Sequence, residues 1–383
     1  MADNFTEVST QSWLGRIGNS IKGILFGLLL IGGAVLLLWW NEGRAVSRIK
    51  ALREGSQVVV PVGSDRVDAS TDGKLVHMTG VAQTGETLSD VEFGVSTNAL
   101  KLERVAEMYQ WTETKKSETT KNLGGSTSTT TTYDYKKDWQ THHVDSSQFK
   151  HPEGHANPLA LPFQGRQLVA GKITIGAFTL NQSLVNTISA AAELPIITTD
   201  KLPAAVKTRS ELVDGKIYIG TNAAAPQIGD QRISFKVTGA TPISLVSRQV
   251  QNTFEPYRTK NGAPVELLQV GTFSAEEMFA HAKEMNRLLT WGLRALGWIL
   301  MYAGFALIFQ PLVVLADVLP FLGDLAGVGT SLIAFLLASP GALLVVALAW
   351  IYYRPVLGIL LLAGATAIIV VLIRKLKKPT PAS

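Results

Sequence analysis

Few residues in this chain are of a kind and spacing that could do chemistry. The nearest to a metal constellation is the pair His142-His143 followed by His151 and His155, with Asp145 and Glu153 as oxygen donors. Two imidazoles four apart match zinc ligands on a helix, but Pro152 and Gly154 fall between them and favour a loop. Surface and strand-end histidines are the simpler reading, although a loop can also fold around a metal, and both readings stand. His77, flanked by apolar residues, reads as a partly buried strand residue.

Arg294 is a sharper signal, because it lies within an apolar run, where a guanidinium costs about 2.5–3.5 kcal/mol at the bilayer centre. It sits about two turns from the start of that run, between Trp291 and Trp298. Three roles fit: an interfacial anchor for lipid phosphate, an interhelical ion pair, or a step in an ion pathway. Arg354 repeats the pattern on the same face of the membrane. Asp317 and Asp324 could relay protons, but such work calls for a carboxylate at the centre of a span, and both read as loop residues. No nucleophile elbow, phosphate-cradling glycine loop or zinc-protease motif occurs. The chain has no cysteine, which excludes disulfides, cysteine zinc sites, iron–sulfur clusters and a thiol nucleophile. No catalytic residue, metal ligand or cofactor site is therefore assigned.

Four apolar segments must position these residues: 21–40, 288–314, 330–351 and 356–373. Each approaches the roughly 20 residues needed to cross a hydrocarbon core. The first ends in Trp39-Trp40 and then Asn41-Glu42-Gly43-Arg44, an aromatic interface without a cleavage site, which marks a retained anchor. Residues 1–20 form an N-terminal tail, 315–329 a connecting loop and 374–383 a basic tail. Pro340-Gly341 should kink the third span or divide it into two re-entrant pieces. Gly23 and Gly27 have small-xxx-small spacing, suited to packing inside the bundle or between copies.

Four crossings put both termini on one side. Arg374, Lys375, Lys377 and Lys378 favour a cytosolic C-terminus and an extracytosolic domain at 41–287, although Arg44, Lys50 and Arg53 pull the other way. The net charge is +5 and the pI about 9.2; much of this excess flanks the spans, so anionic lipid headgroups rather than nucleic acid are the expected partner.

Residues 41–287 show short runs with strand-like alternation, among them Leu75–Met78, Ile173–Ile175, Lys216–Ile219 and Arg232–Val237. The expectation is a mainly antiparallel β domain with short helices at Asn186–Glu193 and Asp200–Lys207. Met108–Glu113 and Tyr133–Trp139 read as hairpin arms, joined by a polar, mobile loop from Lys121 to Thr132. Ser274 and Glu277 form a capping box, and the helix it starts has no breaker before Leu288.

Several strings resemble the transmembrane protein 43 family, also called LUMA. They are Asn41-Glu42-Gly43-Arg44-Ala45, Val105–Trp111, Gly229–Phe235, Gly271–Glu277, Thr290–Trp298 and Tyr353-Arg354-Pro355, in the family's order from the first span to the last. The resemblance implies four spans with a large lumenal domain, residence in the endoplasmic reticulum and inner nuclear membrane of animals, self-association, and emerin- and lamin-type partners. It brings no established enzymatic chemistry. The Thr/Ser stretch is longer than in animal members, and bacterial members, which would place the chain in the cytoplasmic membrane, have no lamina.

The sequence thus reads as a multi-pass α-helical membrane protein with a β-rich α+β domain inserted between its first two spans, serving as a non-enzymatic, self-associating scaffold. Glu42, Arg44, Trp111, Arg294, Trp298 and Arg354 are the expected anchors. A transporter or channel, and less readily a membrane hydrolase, are the alternatives.

Overall fold

The computed structural model describes residues 3–200, 202–356 and 358. The chain divides into a β-rich unit (Met1–Val8, Glu54–Glu118 and Thr130–Ala280) and a helical unit (Ser9–Arg53, Thr119–Thr129 and His281–Ser383).

The β-rich unit owes its form to strands that bury alternate residues. Along strand Lys101–Lys121, residues Leu102, Arg104, Ala106, Met108 and Gln110 are buried while those between are partly exposed. This strand pairs antiparallel with Gln231–Thr238, with Ala106 opposite Ile233 and Leu102 opposite Val237, in an eight-stranded sheet. A seven-stranded sheet is built on Thr241–Val250, which pairs with Leu75–Gln83 on one side and Leu267–Val270 on the other. Both sheets feed one apolar core, with Phe235, Ile233 and Leu102 from the first and Val76, Met78 and Leu245 from the second. Each such side chain contributes about 1.5–3 kcal/mol by leaving water.

The hairpin differs from expectation. Thr127–Gln140 is a strand, and the turn shrinks to residues 122–126. Threonine is polar but β-branched, and its stiff Cβ favours extended backbone. Its hydroxyls also pair across the hairpin, Ser117 with Thr131 at 3.1 Å and Thr119 with Thr129 at 3.0 Å.

Helix α1 (Trp13–Val58) runs well beyond the apolar segment, so Asn41-Glu42-Gly43-Arg44 lies within a helix. Nothing between Trp40 and Pro61 breaks the helical pattern except Gly43 and Gly55, each a cost of about 1 kcal/mol. Short helix α3 (Ala204–Lys207) falls inside the expected segment Asp200–Lys207, whereas α2 (Gln182–Thr187) shares only residues 186–187 with the expected Asn186–Glu193, whose end belongs to the strand Ala192–Leu194. Helix α4 (Ala275–Ala316) starts at the capping box, where Glu277 accepts from the Ser274 amide at 2.7 Å and Ser274 Oγ from the Glu277 amide at 3.3 Å. Helix α5 (Pro320–Tyr353) begins where a long loop was expected, since Pro320 at its first position presets the helical φ. Only residues 317–319 separate α4 from α5, and Asp324 is helical. Pro340 sits inside a continuous α5, not between two re-entrant pieces.

Helices α1, α4 and α5 are long and apolar enough to cross a membrane. The fourth expected span lies, beyond its first residues, outside the described residues. In the helical unit α1 meets α4 where two glycines face each other. A Cβ on Gly27 would lie 2.6 Å from the Gly304 carbonyl oxygen, and one on Gly304 2.7 Å from that of Gly27. Gly27 therefore serves packing within the chain. Gly43 likewise makes room for the Tyr353 ring.

Candidate functional site

On α4, Asn286, Thr290 and Arg294 recur every four residues and share one helix face. On α1, Asn41 and Arg44 lie three apart, with Glu42 beside them. These two polar groups meet in the helical unit and are joined there by Trp350 of α5.

Glu42 is fully buried and takes three hydrogen bonds. Arg294 donates two in a fork, Nε to Oε1 at 2.6 Å and Nη2 to Oε2 at 3.0 Å, and the Trp350 indole donates the third to Oε2 at 2.7 Å. The Arg294 guanidinium also lies 4.7 Å from the Trp291 ring centre and 5.5 Å from that of Trp350. The fork geometry is the strong form of the arginine–carboxylate pair, and the aromatic faces add cation–π attraction. Of the three roles open to Arg294, the interhelical pair is the one its guanidinium makes here.

Arg44 has its two Nη atoms held by neutral groups. It donates to Asn286 Oδ1 at 2.9 Å, Thr290 Oγ1 at 3.0 Å and Asn41 Oδ1 at 3.1 Å, while its buried Nε has no partner. Asn41 donates to the Thr290 carbonyl at 3.0 Å and Asn286 to that of Ala45 at 3.2 Å. Buried polar groups gain only when paired, so this lattice fixes the register of α1 on α4.

The other expected anchors divide. Arg354 lies 5.9 Å from the Trp350 ring centre, on the margin of the cluster. Trp298 donates to Ser339 Oγ at 3.1 Å and stacks on Tyr302. Trp111 takes no part: it belongs to the β-rich unit, where its amide donates to Asn157 Oδ1 at 2.7 Å and Lys137 lies over its ring. Asn41, Asn286, Thr290 and Trp350 were not singled out as site residues. The four-residue spacing on α4 was the available signal for Asn286 and Thr290, and nothing local marked Trp350.

A second charged cluster in the helical unit gathers around Asp317, which lies in the α4–α5 turn, as a loop residue should, but is fully buried there. Arg16 pairs with it directly, Lys121 Nζ lies 2.8 Å from its Oδ1, and Lys121 also reaches Asp324 at 2.8 Å. The hairpin turn is tied down here. Arg16 donates to the Gly125 carbonyl at 2.6 Å, and the Gly124 amide to that of Val318 at 3.0 Å. Gly125, at φ +80°, has no room for a side chain against Trp13. Burial works against the Asp317 carboxylate, but Lys121 and Arg16 hold its pKa below the usual range. Burial also opposes the Lys121 ammonium, which the two aspartates nonetheless push up. The sidedness expected from the basic tail puts Lys121 and Asp317 across the membrane from each other, and their ion pair is the contact on which that expectation is tested.

In the β-rich unit His155 and His143 are held by separate partners, while the buried Nε2 of His151 has none. His155 is buried, with Nε2 3.1 Å from Asp3 Oδ2, Nδ1 2.9 Å from the His151 carbonyl, and its ring stacked on Tyr135. His143 Nε2 contacts the Pro158 carbonyl at 2.7 Å, and the His142 carbonyl accepts from Gln110 at 2.9 Å. Among the described residues no three His, Asp or Glu side chains converge as metal ligands would.

The family described as Transmembrane protein 43 matches residues 108–355. Transmembrane protein 43 of Rattus norvegicus is 34% identical, covering 96% of this chain and 93% of the relative. The Mus musculus protein is also 34% identical, covering 99% of both. The Drosophila melanogaster homolog is 33% identical over 89% of this chain and 92% of its own length. No solved structure matches. With the matched region running from the hairpin strand to Pro355 and identity sustained over nearly the whole length, the chain belongs to the transmembrane protein 43 family.

Proposed function

We propose that this membrane protein is a non-enzymatic scaffold that organises other membrane proteins, self-associates, and holds its β-rich unit as a surface for partners. The observation that carries the reading is how the buried charge in the helical unit is used: Glu42 and Arg294 neutralise each other, and Arg44 is absorbed by Asn41, Asn286 and Thr290. Polar groups spent on fixing helices to one another make a rigid platform, whereas an ion path needs groups exposed to a water-filled cavity. No reaction is suggested by the names of the relatives, and the endoplasmic reticulum, inner nuclear membrane and emerin- or lamin-type partners enter as what a eukaryotic setting would add.

Two measurements on the full chain test this. Crosslinking in intact membranes should trap homo-oligomers. Reconstituted into liposomes, the protein should conduct no more than empty vesicles, and Arg294→Ala should leave that unchanged. Flux that vanishes with Arg294→Ala would replace the scaffold by a channel or transporter.

A further inference from the structure

Beside the Glu42–Arg294 pair, the helical unit contains a groove of about 440 Å³ between α1, α4 and α5, within the roughly 300–1,000 Å³ of ligand clefts. Its walls are apolar: Leu38 from α1, Ala295 from α4, and Ala342, Leu343 and Val346 from α5. One end is closed by Trp298 and Ser339, and the other by Arg294 and Trp350. From Ser339 to Trp350 along α5 is roughly 16 Å at 1.5 Å per residue. That is about half of a hydrocarbon core of about 30 Å, the depth of one leaflet.

The charge at the two ends differs. Arg294 and Arg354 flank the Trp350 ring at 5.5 and 5.9 Å, and Glu42 is the carboxylate hydrogen-bonded to that tryptophan. Arg294 consumes Glu42, and Arg354 has no acidic partner among the described residues. Residues 357–383 contain no Asp or Glu that could supply one. Arg354 does not line the groove, but it lies 5.9 Å from the ring of Trp350, which does, and this spare positive charge beside an apolar groove one leaflet deep complements a molecule with an anionic head and a hydrocarbon tail.

We propose that this groove holds one acyl chain of an anionic glycerophospholipid, the phosphate at Arg354 and the chain lying along Ala342 and Val346 toward Trp298. The lipid then seals α1, α4 and α5 on the side where Ala295 and Ala342 leave space, and the ratio of anionic to zwitterionic lipid sets how often the groove is filled. This inference rests on membrane placement and not on the scaffold reading.

The experiment places a photoreactive benzoylphenylalanine at Leu343, which lines the groove, in full-length protein in nanodiscs of phosphatidylglycerol and phosphatidylcholine. Mass spectrometry then identifies the adduct. The expected product is a lipid adduct enriched in phosphatidylglycerol. Arg354→Gln, a change on the margin of the cluster, should cut that enrichment about fivefold, the factor for one basic residue at an anionic surface. Ala342→Phe, which fills the groove, should abolish the adduct while the variant keeps the thermal midpoint of the unsubstituted chain within a few degrees. Capture of residues 357–383 of the same chain in place of lipid would overturn the proposal, as would adducts with no headgroup preference or unaffected by Ala342→Phe. Conductance and homo-oligomer crosslinking are read separately, so loss of the scaffold reading would leave this result standing.

Discussion

Removing Glu42 should be among the most damaging single changes in the helical unit. The carboxylate is wholly buried and accepts two hydrogen bonds from Arg294 and one from Trp350, while the Arg294 side chain is only 17% exposed. Glu42→Ala therefore leaves a guanidinium among apolar helices with no counter-charge, and stranding one partner of a buried pair costs about 3–5 kcal/mol. Arg294→Ala should cost a similar amount by stranding Glu42. Trp350→Phe removes one donor to a charged acceptor and should cost less, about 1.5–3 kcal/mol. The double variant Glu42→Leu/Arg294→Met removes both charges and keeps apolar volume, so it should be more stable than either single truncation. Thermal unfolding of the full chain in detergent, followed by tryptophan fluorescence, reads this out. At about 2–4 °C per kcal/mol for domains of about 150–250 residues, the single charge removals should lower Tm by roughly 6–20 °C. Strict additivity, or single effects under about 0.5 kcal/mol, would show that the pair is not coupled and that the network does not hold α1 to α4.

Gly27→Leu should separate α1 from α4, because even a Cβ there meets the Gly304 carbonyl at 2.6 Å, whereas Gly32→Ala, with nothing within 4 Å, should be neutral; Tm values of the two variants distinguish them. A Lys121→Cys/Asp317→Cys pair should form an intramolecular crosslink in native membranes, and failure to do so while single cysteines label from opposite faces would separate the hairpin turn from the α4–α5 turn. The Asp317 carboxyl is held low, so its contribution is present above its unfolded pKa, near 4, and is lost as pH falls through the folded value; that of Lys121, held high, is present below its unfolded value near 10 and is lost as pH rises through the folded one. Protease cleavage at the turn should therefore be slowest between about pH 4 and 10 and faster outside it. Burial first, and then the hydrogen bond to Glu113, push the Tyr135 hydroxyl up to about 12, so its stabilising effect is intact below about pH 10 and fades through pH 12. Tyr135→Phe should remove one phenolate titration from the late part of the alkaline absorbance curve, and loss from its ordinary part would refute the assignment.

Much of this protein follows from local pattern. The long apolar runs, the capping box at Ser274 and the alternation along Arg232–Val237 depend on neighbours within a turn or a few residues, and such periodicity survives in sequence. The family strings around Glu42, Trp111 and Arg294 are equally local. What the chain could not show by itself was which distant groups meet. Glu42 and Arg294 are separated by 252 positions and Arg16 and Asp317 by 301, and their pairing depends on the crossing of helices at Gly27 and Gly304. The Thr-rich segment misled for a related reason: its side chains are polar, but their hydroxyls are satisfied across a hairpin and its turn by α1 and the α4–α5 turn. Polarity in sequence reports the transfer cost of a group from water, whereas tertiary structure supplies the partner that removes the cost. Arg294, expensive by itself in an apolar helix, becomes a fixed joint once Glu42 and Trp350 are placed against it.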